Sequence, residues 1–279
     1  MRLVVQGSAI THSHLVHIHQ LCGTSVQFLQ IAQHAYYLAN QTNVLPEVQA
    51  FCAKQQIDCS YVQDAQILNK FGLCVMDMDS TLISIECIDE IADMVGIKPQ
   101  VAAITERAML GELDFAQSLR ERVALLKGLK ESDLMRVLNE RLTFNPGAVE
   151  WIRACKKNNI TTLLVSGGFT FFADRVKALL DLDYAVSNTL EIKDGIVTGN
   201  ILGNIVDAQT KADELIKLRD QLGLTSAQTI AIGDGANDLK MMSMAGIGVA
   251  YHAKPIVQAQ ATYAINHIGL DGVINLLTT

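Results

Sequence analysis

The apolar positions of the chain fall into two patterns. From residue 71 onward, short unbroken apolar runs recur, and the clearest of them stop at small or acidic residues. Phe71-Gly-Leu-Cys-Val-Met76 runs into Asp77, Thr161-Thr-Leu-Leu-Val165 into Ser166-Gly167-Gly168, and Thr229-Ile-Ala-Ile232 into Gly233-Asp234-Gly235. Continuous rather than alternating runs predict strands buried on both faces, as in a parallel sheet. Asp183 to Val186, Gly246 to Ala250 and Tyr263 to Ile265 are predicted as further strands. Between Ser84 and about Leu142, Leu, Val and Ile recur at helical spacing, with breaks near Gly96 and Gly128. That tract is too long for a simple crossover and reads as an inserted helical subdomain. Strands alternating with helices predict an α/β fold with a Rossmann-like parallel sheet.

The first 68 residues are patterned separately. Leu3 to Val5 reads as a strand, Thr11 to Leu21 as a helix, and Val26 to Tyr37 as strand-like stretches. Pro46 to Gln55 reads as a helix with proline in its first turn, and Ile57 to Val62 as a last strand. The expected division is a small α/β unit over 1–68 and a larger domain over 69–279, with the helical insertion at about 84–145. No repeat or low-complexity segment interrupts it.

Composition narrows the classes. The chain has 279 residues, 49% of them apolar and 18% charged, which argues against disorder. The net charge of −7 argues against binding nucleic acid through a broad basic surface. No run has the length of a membrane span, and the start lacks the apolar stretch of a secretory signal. The six cysteines form no C-x-x-C pair, as expected of reduced thiols. The expectation is a soluble cytoplasmic protein. The histidines His12, His14, His17 and His19 read as a polar helix face rather than a metal site.

Ligands of open parallel sheets bind outside the carboxyl ends of the strands. Three strand ends here carry useful chemistry: Asp77-Met-Asp79-Ser80-Thr81, Ser166-Gly167-Gly168, and Gly233-Asp234-Gly235-Ala236-Asn237-Asp238. Gathered at one edge, Asp77, Asp79, Asp234 and Asp238 would repel one another. A hard divalent cation such as Mg²⁺ relieves that repulsion. Asp77, directly after its strand, is placed to act as a nucleophile toward phosphorus, and Asp79 as general acid and base. Ser166 and the N–H groups of the following glycines can cradle phosphate oxygens. Lys211, at the start of an apparent helix, would neutralise the acids if aimed at them.

Together, Asp77-x-Asp79-x-Thr81, Ser166-Gly167, Lys211 and Gly233-Asp234-Gly235-x-Asn237-Asp238 resemble the haloacid dehalogenase superfamily, from about Phe71 to the C-terminus. The insertion carries Glu86, Ile88-Asp-Glu-Ile-Ala92, Ile104-Thr-Glu-Arg-Ala-Met109 and Asp114-Phe115-x-x-Ser118-Leu-Arg120-x-Arg122. These segments resemble the branch of that superfamily that acts on phosphoserine. The resemblance implies Asp77 as nucleophile and Asp79 as general acid/base. It places Mg²⁺ on the Asp77 carboxylate, the Asp79 carbonyl and Asp234, with Asn237 or Asp238 in support. Ser166, Gly167 and Lys211 would hold the phosphoryl group. Glu86 would take the substrate ammonium and Arg122 its carboxylate, with Phe115 and Met109 closing over it. It implies Mg²⁺-dependent hydrolysis of O-phospho-L-serine through an aspartyl-phosphate, the closing step of serine synthesis.

Members of the family often carry an ACT-like N-terminal regulatory unit. Residues 1–68 are expected to be a shortened version of one, serving dimerisation or ligand sensing. Expected partners are the small substrate and, through this unit, a second copy of the chain, with no nucleic acid or membrane. Other readings are a relative acting on a different small phosphomonoester or alcohol acceptor, and an amino-acid sensor. Transport driven by ATP is disfavoured by the lack of membrane spans.

Overall fold

A computed structural model describes residues 1–278. Seven strands form the main sheet: β5 (Leu73–Met76), β6 (Thr161–Phe169), β7 (Tyr184–Lys193), β8 (Ile196–Leu202), β9 (Thr229–Gly233), β10 (Ile247–Tyr251) and β11 (Tyr263–Ile265). Their spatial order is β11-β10-β9-β5-β6-β7-β8, parallel throughout except for the antiparallel β7–β8 pair. From β5 the chain builds outward on one side through β6, β7 and β8. It then returns to β9 on the other side. The direction of winding therefore reverses beside β5, which makes its carboxyl end the ligand crevice.

Alternation along β5 explains why it is apolar throughout. Cys74 and Met76 enter a core that reaches Trp151, Phe172 and the insertion. Leu73 and Val75 enter a second core on the opposite face, with Leu215 and Met241. Side chains of successive strand residues point to opposite faces, so a central strand covered on both sides has no polar position to spare.

The insertion comprises four helices, Cys87–Met94, Lys98–Met109, Phe115–Ala124 and Glu131–Glu140. Its two linkers pair with each other: Ile83 lies opposite Phe144, and Ser84 N donates to Thr143 O at 2.9 Å. Asn145 Nδ2 donates to Thr81 O and Ile83 O, so the return linker braces the outgoing one. Besides the breaks at Gly96 and Gly128, the helical tract has a third break at Gly111, where φ is +80°, before the Asp114 cap. A Gly-x-x-Asp sequence ahead of an apolar helix is a stop and a start combined.

Two sequence expectations for the sheet need correction. The strand expected to end at Val165 continues through Ser166-Gly167-Gly168 to Phe169, with a register shift against β7 in that stretch. The strand expected over Asp183 to Val186 runs from Tyr184 to Lys193 and turns back as β8, which had not been expected. The turn is Asp194-Gly195, both at positive φ (50° and 73°), the Asp-Gly signature of a tight hairpin.

At the N-terminus, β1 (Arg2–Gln6), β2 (Leu29–Ala32), β3 (Ala35–Leu38) and β4 (Asp58–Val62) form an antiparallel sheet in the order β2-β3-β1-β4. Helices His12–Cys22 and Pro46–Lys54 complete a βαββαβ unit, so the segment is not shortened. Leu3 and Val5 face those helices, while Val4 and Val62 join the core of the main domain. Polar contacts tighten this junction. The buried Arg2 donates to Gln63 O, Gln66 O and Leu276 O, and Asp58 accepts from Asn266 N and His267 N at 2.8 and 3.0 Å. Among the described residues no helix is long and apolar enough to cross a membrane.

Candidate active site

Asp77 is the first residue past β5, and its N–H still bonds Ile232 O on the neighbouring strand. The chain then makes an irregular turn, Met78–Leu82, in which Ser80 takes a left-handed φ of 55°. That turn brings Asp79 back over the strand ends and sends the chain into the insertion. Asp77 Oδ1 accepts from Met78 N at 2.7 Å, and its Oδ2 lies 2.7 Å from Lys211 Nζ. Lys211 is 1% exposed and lies equally close, 2.7 Å, to Asp238 Oδ1. It is thus an internal counter-ion rather than a surface lysine.

Asp238 Oδ2 accepts from Gly235 N at 3.1 Å, so both of its oxygens are engaged. A Cβ on Gly233 would sit 2.3 Å from Asp238, which is why glycine ends β9. Thr81 Oγ1 donates to Asp234 Oδ1 at 3.4 Å. The carboxylates of Asp77, Asp234 and Asp238 present oxygens within 4.8 Å of one another. Hard oxygen donors in this number suit a divalent cation.

The electrostatics agree with that fit. Burial, and then the neighbouring Asp238 charge, push the Asp77 carboxyl well above its usual range, with Lys211 opposing. The same two causes raise Asp234 to about 6. Burial would lower the Lys211 ammonium, but Asp77 and Asp238 outweigh it and hold the group charged. Carboxylates raised by mutual proximity are the ones a cation would return to the ionised state.

Asp79 is held from two sides. Cys87 N, at the start of the first helix of the insertion, donates to its Oδ1 at 2.9 Å, and Ser166 Oγ to its Oδ2 at 3.3 Å. Burial raises this carboxyl too, against the Cys87 and Ser166 hydrogen bonds and the Lys211 charge. Ser166 Oγ in turn accepts from Gly168 N at 2.8 Å. A Cβ on Gly168 would lie 2.7 Å from Asp79 Oδ2, and one on Gly167 2.9 Å from the Phe115 ring. Close approach requires glycine at 168, whereas at 167 the neighbour is the tip of the Phe115 ring.

Asp77, Asp79, Glu86, Phe115, Arg122, Ser166, Gly167, Asp234 and Asn237 all line one cavity of about 160 Å³, and Lys211 and Asp238 lie beneath it. Glu86 Oε1 accepts from Ser80 Oγ at 2.7 Å. Burial first, and then the Asp79 charge, raise its carboxyl to about 7. Arg122 lies on the Phe115–Ala124 helix, one turn past the Asp114–Gln117 capping box that starts it.

Met109 is not brought to the cavity. It ends its helix 74% exposed, beside the equally open Leu110, because the chain reverses at Gly111 before reaching the cleft. Sequence reasoning had singled out Gly168 only through its N–H group, and had not singled out Ser80 or Cys87. Gly168 was legible as the second glycine of the turn. Ser80 and Cys87 act through a left-handed turn and a helix N-terminus that no local pattern announces.

A family model described as haloacid dehalogenase-like hydrolase matches residues 74–243. The phosphoserine phosphatase of Haemophilus influenzae is 45% identical over 281 residues, covering 99% of this chain and 88% of that protein. The crystal structure of a probable phosphoserine phosphatase from Vibrio cholerae, unliganded, superposes with a TM-score of 0.87 at 42% identity, covering 99% and 86% of the two chains. A structure described as a phospho-aspartyl intermediate analogue of phosphoserine phosphatase matches with a TM-score of 0.69 at 38% identity, over 75% of this chain and 99% of that one. With this coverage of both sequence and fold, the chain belongs to the haloacid dehalogenase-like hydrolases, in their phosphoserine phosphatase branch.

Proposed function

We propose that the chain is a Mg²⁺-dependent phosphatase that hydrolyses O-phospho-L-serine to L-serine and phosphate, the closing step of serine synthesis. The observation that carries this reading is the meeting, in one cavity, of the Asp77/Asp79 pair with Glu86 and Arg122 from the insertion. The first pair suits phosphoryl transfer. The second suits the two charges of an amino acid, a planar guanidinium for the carboxylate and a carboxylate for the ammonium.

An Asp77 oxygen attacks phosphorus, and the bond from phosphorus to the serine oxygen breaks. The leaving oxygen takes its proton from Asp79, whose carboxyl is kept protonated more readily by burial. Asp79, now ionised, removes a proton from water. The water oxygen attacks phosphorus, the bond to Asp77 breaks, and phosphate leaves with Asp77 restored. Ser166, Gly167 and Lys211 hold the phosphoryl oxygens, with Asn237 beside them. Asp77, the Asp79 carbonyl and Asp234 would hold Mg²⁺, and Asp238, engaged by Lys211 and Gly235, fixes the arrangement from below. When bound, the cation supplies charge neutralisation for the transferring phosphoryl group. A relative solved as a phospho-aspartyl intermediate analogue supports the covalent route.

The test is phosphate release from L-phosphoserine in Mg²⁺ and in EDTA, beside phosphothreonine. Turnover that needs the cation and strongly favours phosphoserine is expected. Equal rates on the two esters would sink the assignment of Glu86 and Arg122.

The N-terminal βαββαβ unit is proposed as an ACT-like module for dimerisation or ligand sensing. Its complete topology and its shared core with the phosphatase domain support a coupled role. A chain starting near Lys70 that kept both oligomeric state and activity would remove that role.

A further inference from the structure

We propose that Asn188, on β7, is a positioning residue that aims the phosphate-binding turn and fixes its distance from the segment carrying Lys211. The inference rests on the phosphate-binding role proposed above for Ser166 to Gly168.

Asn188 is 1% exposed and lies behind the turn, outside the cavity lining. Its Nδ2 donates to Gly167 O at 2.8 Å and to Gly168 O at 3.3 Å, and its Oδ1 accepts from Val206 N at 2.8 Å. The partners fix which end of the amide is which: two carbonyls face the donor and one N–H faces the acceptor.

The consequence follows from peptide geometry. In a planar trans unit, C=O and N–H point in opposite directions. Anchoring Gly167 O backward onto Asn188 therefore turns Gly168 N–H the other way, where it meets Ser166 Oγ at 2.8 Å on the cavity side. Glycine pairs have wide conformational freedom. Without an anchor, the Gly167–Gly168 peptide has nothing from behind to hold it in this orientation. The register between β6 and β7 shifts in this stretch, between Val165 and Phe169, so the regular pairing of the two strands is interrupted where Asn188 makes its contacts.

The third hydrogen bond extends the effect to the other phosphate-binding segment. Val206 precedes Asp207, the N-cap of the Ala208–Gln221 helix, and Asp207 Oδ1 accepts from Thr210 N, one residue before Lys211. One side chain thus ties together the two segments that would meet the phosphoryl oxygens. Asparagine alone among side chains of this size offers two donors and one acceptor without charge. Aspartate would set an anionic oxygen against two carbonyls, and an apolar residue would leave three buried backbone groups unpaired.

The experiment uses the full chain with Mg²⁺ and compares Asn188→Asp and Asn188→Ser with wild type. Thr162→Val is the control. Thr162 is also buried and hydrogen-bonded on the same sheet, to Asp183, but at the opposite end of β6 from the cavity. Inorganic phosphate binding is read by titration calorimetry, kcat and KM on phosphoserine by phosphate release, and stability by thermal unfolding. Both Asn188 variants should weaken phosphate binding roughly tenfold or more, with kcat falling as KM rises. Thr162→Val should lose a comparable amount of Tm and leave phosphate binding unchanged.

Asn188 variants that lose Tm but bind phosphate as wild type would overturn the proposal. So would a Thr162→Val effect on phosphate equal to theirs, or failure of both Asn188 variants to fold. A wild-type chain that binds phosphate but does not turn over phosphoserine would instead count against the functional reading.

Discussion

The sheet edge and the helical insertion line one cavity but supply different kinds of residue to it. Asp77, Ser166, Lys211 and Asp238 sit on or just past buried strands and in a buried helix turn, each braced by at least one named hydrogen bond or ion pair. Phe115 and Arg122 come from a helix whose cavity face is partly open: Phe115 is 36% exposed, and among the described residues Arg122 bonds only the Ser118 carbonyl of its own helix, at 3.4 Å. The groups proposed for the chemistry are thus preorganised by the core, whereas those proposed for recognition are presented by an inserted element joined through two paired linkers. Phosphoryl transfer gains most from fixed charges. Selection of a small substrate requires a door that admits it.

The sharpest way to break this comparison is at the sheet edge. Asp77→Asn keeps shape and removes the proposed nucleophile, so turnover should fall by at least about four orders of magnitude with the fold retained, checked by phosphate release and circular dichroism. Asp79→Asn should lower kcat by roughly 10²–10⁴ while leaving Mg²⁺ and phosphate binding in place, checked by steady-state kinetics and calorimetry.

The insertion should respond through KM. Glu86 holds its proton up to about pH 7 because burial and Asp79 disfavour its charge. An ammonium group binds the ionised form. Below about pH 7 binding must expel a proton, so KM for phosphoserine should rise as pH falls, by about tenfold per pH unit at most. Glu86→Gln should flatten that profile, and a profile unchanged by the substitution would separate Glu86 from the ammonium. The smallest effect belongs to Met109→Ala, which should change kcat/KM by no more than about threefold because that side chain is at the surface.

The chain's own pattern showed much of this division. Apolar runs ending in acid or glycine located β5, β6 and β9 and, with them, Asp77, Ser166 and Asp234, because a doubly buried strand leaves polar residues only at its ends. Lys211 is different. A lysine in an amphipathic helix reads as solvent-facing, and only its position among the other motifs marked it. The β7–β8 hairpin was missed although Asp194-Gly195 signals it, because its half-exposed strands lack an unbroken apolar run. Met109 lies outside the cavity lining, since helical periodicity gives a face but not where the chain turns away, at Gly111. Asn188 had no local signal at all: its three hydrogen bonds reach residues 18 to 21 positions away.

The most direct measurement of the division between edge and insertion is the ratio of kcat/KM for L-phosphoserine to that for p-nitrophenyl phosphate, in wild type and in Arg122→Ala. Loss of a charge-assisted contact costs about 1.5–3 kcal/mol, a factor of roughly 10–100. The ratio should fall by that factor through phosphoserine alone, with the generic ester turned over as before. An equal loss on both esters would place Arg122 in the phosphoryl chemistry and contradict the division. An unchanged ratio would contradict its part in recognising the amino acid.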